Sequence, residues 1–138
     1  SATTKIGLEY LEVNQSQEEV TVNEAFNRLD LFVGLTVDNI LSSPPSSASE
    51  GTAFLVGINP AGGFSGKKNY IAHYLNGAYE FYAPIEGMRI YVTSTKTDYR
   101  YLEGTWLKVT EPNIQVVDAL PTSPASGVIY MVTESWLP

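Results

Sequence analysis

The side chains able to do chemistry are few and scattered. His73 is the single histidine, so a Ser–His–Asp arrangement would have to use it, and no serine sits in a nucleophile-elbow phrase. It lies in Tyr70-Ile71-Ala72-His73-Tyr74, an expected strand, where a structural histidine is the plainer reading. Glu80, Glu86, Asp98, Glu103 and Glu111 are the carboxylates available for glycoside hydrolysis, which needs two of them at a defined separation across a sugar. Nothing in the sequence sets any two at that separation, and Glu86 and Glu103 each precede a glycine, as residues approaching a turn do. There is no cysteine, no His pair and no Asp-x-Asp-x-Asp-Gly loop, so neither a metal nor another cofactor is expected. Residues 62–68, Gly-Gly-Phe-Ser-Gly-Lys-Lys, lack the spacing of a phosphate-binding loop and no helix pattern follows them; they read as a hairpin tip. The expectation is a protein that is not an enzyme.

Aromatic side chains are the richer signal. The chain has nine Tyr, five Phe and two Trp, and most fall between Phe64 and Trp106. Tyr99 and Tyr101 share one side of an expected strand, and Trp106 follows across a turn. With Tyr79 they could form a platform for stacking on a sugar, or equally a sheet core or subunit interface, where Tyr and Trp are enriched.

Net charge narrows the partners. Eight Lys and Arg stand against fifteen Asp and Glu, a formal charge of −7. A nucleic-acid binder needs clustered cations to displace counterions from phosphates, so nucleic acid is not expected as a partner, nor is an anionic membrane surface. No apolar run approaches the ~20 residues of a membrane span. Most of the acidic excess lies in residues 1–50, which would steer that end towards a basic partner.

These side chains need elements to hold them. Thr21-Val22-Asn23-Glu24 fits a capping box, with Asn23 as an alternative N-cap. Ala25, Phe26, Leu29, Phe32 and Val33 follow at helical spacing, and Gly34 is placed to stop the helix. The spacing predicts one helix over residues 22–33, inside an N-terminal arm-plus-helix unit of residues 1–41. Residues 36–41 read as a short strand. Residues 42–49, Ser-Ser-Pro-Pro-Ser-Ser-Ala-Ser, read as an extended linker. Residues 50–138 form the expected β module, built from a repeated phrase. Glu50-Gly51-Thr52-Ala53-Phe54-Leu55-Val56 recurs as Glu86-Gly87-Met88-Arg89-Ile90-Tyr91-Val92 and, more loosely, as Ser126-Gly127-Val128-Ile129-Tyr130-Met131-Val132. Asn76-Gly77 before an aromatic strand is a strong hairpin signal, and Glu103-Gly104 a weaker one. Mainly β architecture follows: one helix, then an antiparallel sandwich or barrel-like module of repeated hairpins.

The phrases Ile6-Gly7-Leu8, Gln15-Ser16-Gln17-Glu18-Glu19 and Val20-Thr21-Val22-Asn23-Glu24-Ala25-Phe26, with Leu29-Asp30, resemble a domain of unknown function, the 2793 family. That domain occurs in tail-fibre and head-spike proteins of phages, prophages and gene-transfer agents. Glu50-Gly51, Gly63-Phe64-Ser65-Gly66, Asn76-Gly77-Ala78-Tyr79, Pro84-Ile85-Glu86-Gly87 and Gly104-Thr105-Trp106 are similar to later phrases of the same family. The likeness covers residues 6–109. Glu18 departs from it, standing where Lys is usual. The family has no established catalytic residues.

The resemblance implies a virion component of a bacteriophage-type particle: a tail fibre, head fibre or capsid decoration, usually a homotrimer, with other virion proteins as partners. In that setting the acidic arm and helix would dock, through Gln15, Gln17, Glu18, Asn23, Glu24, Phe26 and Asp30. The β module would project outward, where Tyr79, Tyr99, Tyr101 and Trp106 could meet a host glycan during attachment.

Overall fold

The computed structural model describes residues 1–12, 18–110 and 113–133. One helix, α1 (Glu18–Phe32), precedes ten strands. They are β1 (Thr36–Val37), β2 (Asn39–Leu41), β3 (Ala53–Val56), β4 (Ile71–Leu75), β5 (Ala78–Tyr82), β6 (Arg89–Val92), β7 (Thr97–Leu102), β8 (Thr105–Lys108), β9 (Asn113–Val117) and β10 (Val128–Val132). The mainly β, one-helix architecture expected from the sequence is present.

Two four-stranded sheets, in orders β1-β6-β7-β8 and β2-β3-β4-β5, have the same plan. In each, a short edge strand runs parallel to a glycine-led strand, which pairs antiparallel with the first arm of a hairpin. The hairpins pair antiparallel as expected, and the short parallel strands β1 and β2 make the sheets mixed. These two edge strands come from one extended stretch. Thr36 and Val37 pair with Tyr91 and Val92, and after Asp38 the next three residues pair with Phe54, Leu55 and Val56. The short strand expected over residues 36–41 thus belongs to both sheets. A separate two-stranded parallel ribbon joins β9 and β10.

The main core lies between the inner faces of the two sheets and the C-terminal end of α1. It holds Leu31, Leu35, Val37, Ala53, Leu55, Ile71, Ile90 and Val92, with Tyr99 and Trp106 packed against it. Each large aliphatic side chain buried there contributes roughly 1.5–3 kcal/mol. The outer face of β2-β3-β4-β5 has its own cover, in which Val56, Phe64 and Ala72 are buried under Leu41, Tyr70, Tyr79 and Phe81. Burial on both faces explains why β3 reads as an unbroken apolar run, Ala-Phe-Leu-Val.

Three expectations are corrected. The Gly-rich stretch 62–68 does lie in the connection between the antiparallel strands β3 and β4, but it is not an open tip: Gly62–Phe64 is a 3-10 turn that drives Phe64 into the second cluster, fully buried. Phe64 meets Tyr79 and Phe81 edge-on at 5.2 and 5.8 Å between centroids, the geometry aromatic quadrupoles favour. Thr21-x-x-Glu24 is no capping box, because α1 begins at Glu18 and both residues lie inside it; Glu18 and Glu19 are themselves good helix formers and carry the helix back past Thr21. Nor does Asn23 cap the helix, since its side chain reaches the N-terminal arm. The helix ends as expected, with Gly34 left-handed at φ 57°.

The N-terminal unit and the β module share one core, through Leu31, Leu35 and Val37. Residues 42–49 are a connection within the fold. Ser42 O accepts from the Ala61 N–H at 2.8 Å, and a Cβ added to Gly63 would lie 3.0 Å from Pro44 Cγ.

Candidate functional site

Of the expected docking residues, Gln15 and Gln17 lie outside the described residues, and Glu18 opens α1. The others fall on two sides of the helix. Asn23, Asn27 and Asp30, spaced i, i+4, i+7, form a polar ladder under the N-terminal arm. Asp30 is buried and accepts the backbone N–H of Lys5 at 3.0 Å and of Ile6 at 2.6 Å. Asn27 Oδ1 accepts from the Tyr10 hydroxyl. Asn23 Oδ1 accepts from the Leu11 N–H at 2.9 Å, and its amide donates to Leu11 O at 3.2 Å. The arm therefore runs antiparallel to α1, and Asn23 and Asp30 are committed within the chain.

The same arm finishes the helix. No basic residue stands in the last turn of α1, and the Lys5 ammonium instead donates to Leu31 O at 2.8 Å and reaches Gly34 O at 3.5 Å. A cation at a helix C-terminus satisfies free carbonyls and complements the macrodipole. Burial lowers the pKa of this lysine, and Asp30 opposes that.

With its polar side turned to the arm, α1 leaves an apolar stripe outside. Val22, Phe26, Leu29 and Val33 recur at spacings of four, three and four, the seam of a short heptad pattern. Leu29 and Val33 are 51% and 46% exposed, Ala25 beside them is exposed, and Phe26 is half-buried. Of the residues whose helical spacing is read in the sequence, Phe32 packs against the core, whereas Leu29 and Val33 point away from it. Glu24 lies beside the stripe and lines a cleft of about 310 Å3 with Asn27, Arg28, Asn76, Glu80 and Tyr82.

The four aromatic candidates separate into two places. Tyr79 belongs to the outer-face cluster, touching Tyr74 and Phe64; burial raises its pKa, with Tyr74 adding to this. Tyr99, Tyr101 and Trp106 stand together on the inner face of β7–β8, where Tyr101 pairs with Trp106 across the strands. Their rings lie 5.2 Å apart, and the Trp106 indole N–H donates to Asn69 O at 3.0 Å. Here the core opens to the surface. Tyr99 and Trp106 line a cleft of about 310 Å3 between the sheets, with Ile40, Ile58, Ser42, Asn69 and Thr105. It offers two aromatic surfaces beside hydroxyl and amide groups, a combination suited to an uncharged polar ligand.

His73 is buried on β4, and its Nδ1 has no hydrogen-bond partner among the described residues. Burial holds its pKa below the usual value, with Lys5 acting the same way and Asp30 opposing. It lines a cavity of about 70 Å3 with Lys5, Asp30, Thr36, Asp38 and Thr52. Among the described residues no three His, Asp or Glu side chains are grouped so as to hold a metal ion.

Glu50 and Glu86, two of the acidic residues before turn glycines, do structural work that sequence reading missed. Glu50 Oε1 accepts from the Asn76 N–H at 2.8 Å, and Glu86 Oε1 accepts from the Glu103 N–H at 2.9 Å. Each carboxylate thus caps the hairpin turn that follows it. The matching backbone bonds recur too: Gly51 N–H to Tyr74 O at 2.8 Å, and Gly87 N–H to Tyr101 O at 2.7 Å. The repeated Glu-Gly phrase was the available signal; its partners lay too far along the chain to be read from it.

No curated protein matches the chain. The family model described as "Protein of unknown function (DUF2793)" matches residues 22–107, from the second turn of α1 to β8. That span holds both four-stranded sheets and more than half of the chain, and the chain belongs to the DUF2793 family.

Proposed function

We propose that this protein is a non-enzymatic structural component of a phage-type particle, a tail-fibre or particle-surface domain such as a head fibre or capsid decoration. It acts through assembly contacts with other virion proteins and with copies of itself as a homotrimer. The observation that carries the reading is the outward stripe of α1. Val22, Phe26, Leu29 and Val33 are at heptad spacing, with Leu29 and Val33 about half exposed, while the helix meets its own arm through Asn and Asp. A helix built this way is fitted to bury its apolar side against other helices. The resemblance of its phrases to those of tail-fibre and head-spike proteins supplies the setting.

The test has two parts. Purified particles analysed by mass spectrometry should contain the chain; consistent absence ends the reading. Leu29→Glu combined with Val33→Glu should reduce a trimer to smaller species in analytical ultracentrifugation while the circular dichroism spectrum is kept. A chain that is monomeric before substitution removes the trimer.

A second reading is favoured by the cleft at Tyr99 and Trp106, recognition of a host surface glycan during attachment. Trp106→Ala would then abolish glycan-array binding. Because Trp106 packs on the core and donates to Asn69 O, Thr105→Arg, which fills the rim without removing a ring, is the cleaner variant. Loss of binding with an unchanged melting temperature supports the cleft as the site.

A further inference from the structure

The ribbon β9–β10 repeats the unit β2–β3. Asn39 faces Phe54 in one parallel pair, and Asn113 faces Val128 in the other, at the same separation along the chain. Pro- and Ser-rich connections join the strands in both cases. Gly51 and Gly127 precede the second strand at φ 83° and 78°. One closing bond also recurs, Gly57 N–H to Leu41 O at 2.9 Å and Thr133 N–H to Val117 O at 3.0 Å.

In both complete sheets the glycine-led strand has a second neighbour, antiparallel: β4 on β3 and β7 on β6. Among the described residues nothing pairs with the outer edge of β10. Nor is this copy equipped to hold a hairpin of its own. Ser126 stands where Glu50 and Glu86 reach the hairpin turn, and its side chain is too short to do so.

The edge is also unguarded. Elsewhere the outer strands are two or three residues long, or carry a charge, Glu80 on β5 and Lys108 on β8, which is how proteins discourage edge pairing. Neither β9 nor β10 carries a charged residue. Registered partners share a face, so Ile114, Val116, Ile129 and Met131 form one apolar surface, each between 51% and 70% exposed. Parallel sheets are normally covered on both faces, and a two-stranded ribbon is marginal alone.

We propose that β10 pairs antiparallel with β10 of a second copy of this chain, centred on Tyr130, to give a four-stranded sheet in the order β9-β10-β10-β9. This restores the strand number and the antiparallel neighbour of the other two sheets. Centring on Tyr130 sets Ile129 opposite Met131 of the other copy, so the apolar faces of both ribbons join. The pairing is isologous, one patch meeting itself about a two-fold axis, so it joins chains of two different trimers and not neighbours within one. Like charges are not brought face to face, although each chain carries −7, because both strands are uncharged.

The chain has no cysteine, which permits a clean test on the full chain. Directly opposed strand residues have Cα atoms within the range a disulfide spans. Tyr130→Cys should therefore give a covalent dimer on mild oxidation, seen on a non-reducing gel. Ile129→Cys alone should not, whereas a mixture of Ile129→Cys and Met131→Cys proteins should. Ile129→Lys should shift association to at least tenfold higher concentration, and Leu29→Glu, on the helix, should leave the Tyr130→Cys cross-link intact. That last variant separates failure at this edge from failure of the helix contact. The proposal is overturned if the Tyr130→Cys protein stays uncross-linked, if all three positions cross-link alike, or if the strand is supplied by a different protein.

Discussion

At the scale of single residues, Asp30 shows how a buried polar group holds the N-terminal arm to the helix, and His73 lines the same small cavity as Lys5 and Asp30. Asp30 spends both carboxylate oxygens on backbone N–H groups of Lys5 and Ile6, and hydrogen bonds to a charged acceptor contribute about 1.5–3 kcal/mol each. His73 sits nearby with its pKa lowered chiefly by burial. In the unfolded chain it takes up a proton near its ordinary value of about 6.5, while in the folded protein it stays neutral to lower pH. Between the folded and unfolded pKa values the unfolded state binds more protons, so stability is full above about pH 6.5 and is lost as pH falls towards the folded value. Urea midpoints measured from pH 7.5 to 5 should fall over that window, and His73→Gln should flatten the part of the slope that belongs to this group. An unchanged slope would mean the imidazole does not titrate against folding. None of this pairing was legible beforehand. Asn23, Asn27 and Asp30 are polar, so a search for apolar periodicity passes over the side of the helix that meets the arm and finds the side that does not.

At the scale of elements, the hairpins are where local sequence decides most. Both two-residue turns, Asn76-Gly77 and Glu103-Gly104, have positive φ at both positions, 53° and 79°, then 50° and 82°, as a type I′ turn requires. Asn tolerates that conformation, and glutamate does so with strain of roughly 1–2 kcal/mol. Glu103→Asn should therefore raise the unfolding free energy by about 0.5–1 kcal/mol, checked by thermal or urea unfolding; a decrease would show that the Glu103 side chain has a role the turn does not reveal. The glycine-led strands and both hairpins were readable because their determinants lie within a few residues. The edge strands β1 and β2, two and three residues long, carry too short a pattern to be told apart. The parallel pairing of β9 with β10 depends on partners far apart in sequence, and Phe64 looked like a loop residue because glycines surround it.

At the scale of the whole molecule, the two sheets are copies of one plan that cannot stand apart. Ile71 and Leu55 come from one sheet, Ile90 and Val92 from the other, and all four meet in the same core. Removing one such side chain leaves a cavity felt by both sheets. Leu55→Ala should cost about 2–5 kcal/mol and lower the stability of amides in β6 and β7 as much as those in β3 and β4, read by hydrogen exchange. Protection lost on one side alone would mean two independent units.

The stretch that leaves β1 and enters β2 through Asp38 carries a mechanical consequence. Because it lies alongside β6 and then β3, tension arriving from α1 runs lengthwise along both parallel pairs. Their backbone bonds are then loaded together, in shear, instead of being peeled open in succession. A single ribbon of chain so becomes a rivet between two plates, well placed to resist a pull on the helical end.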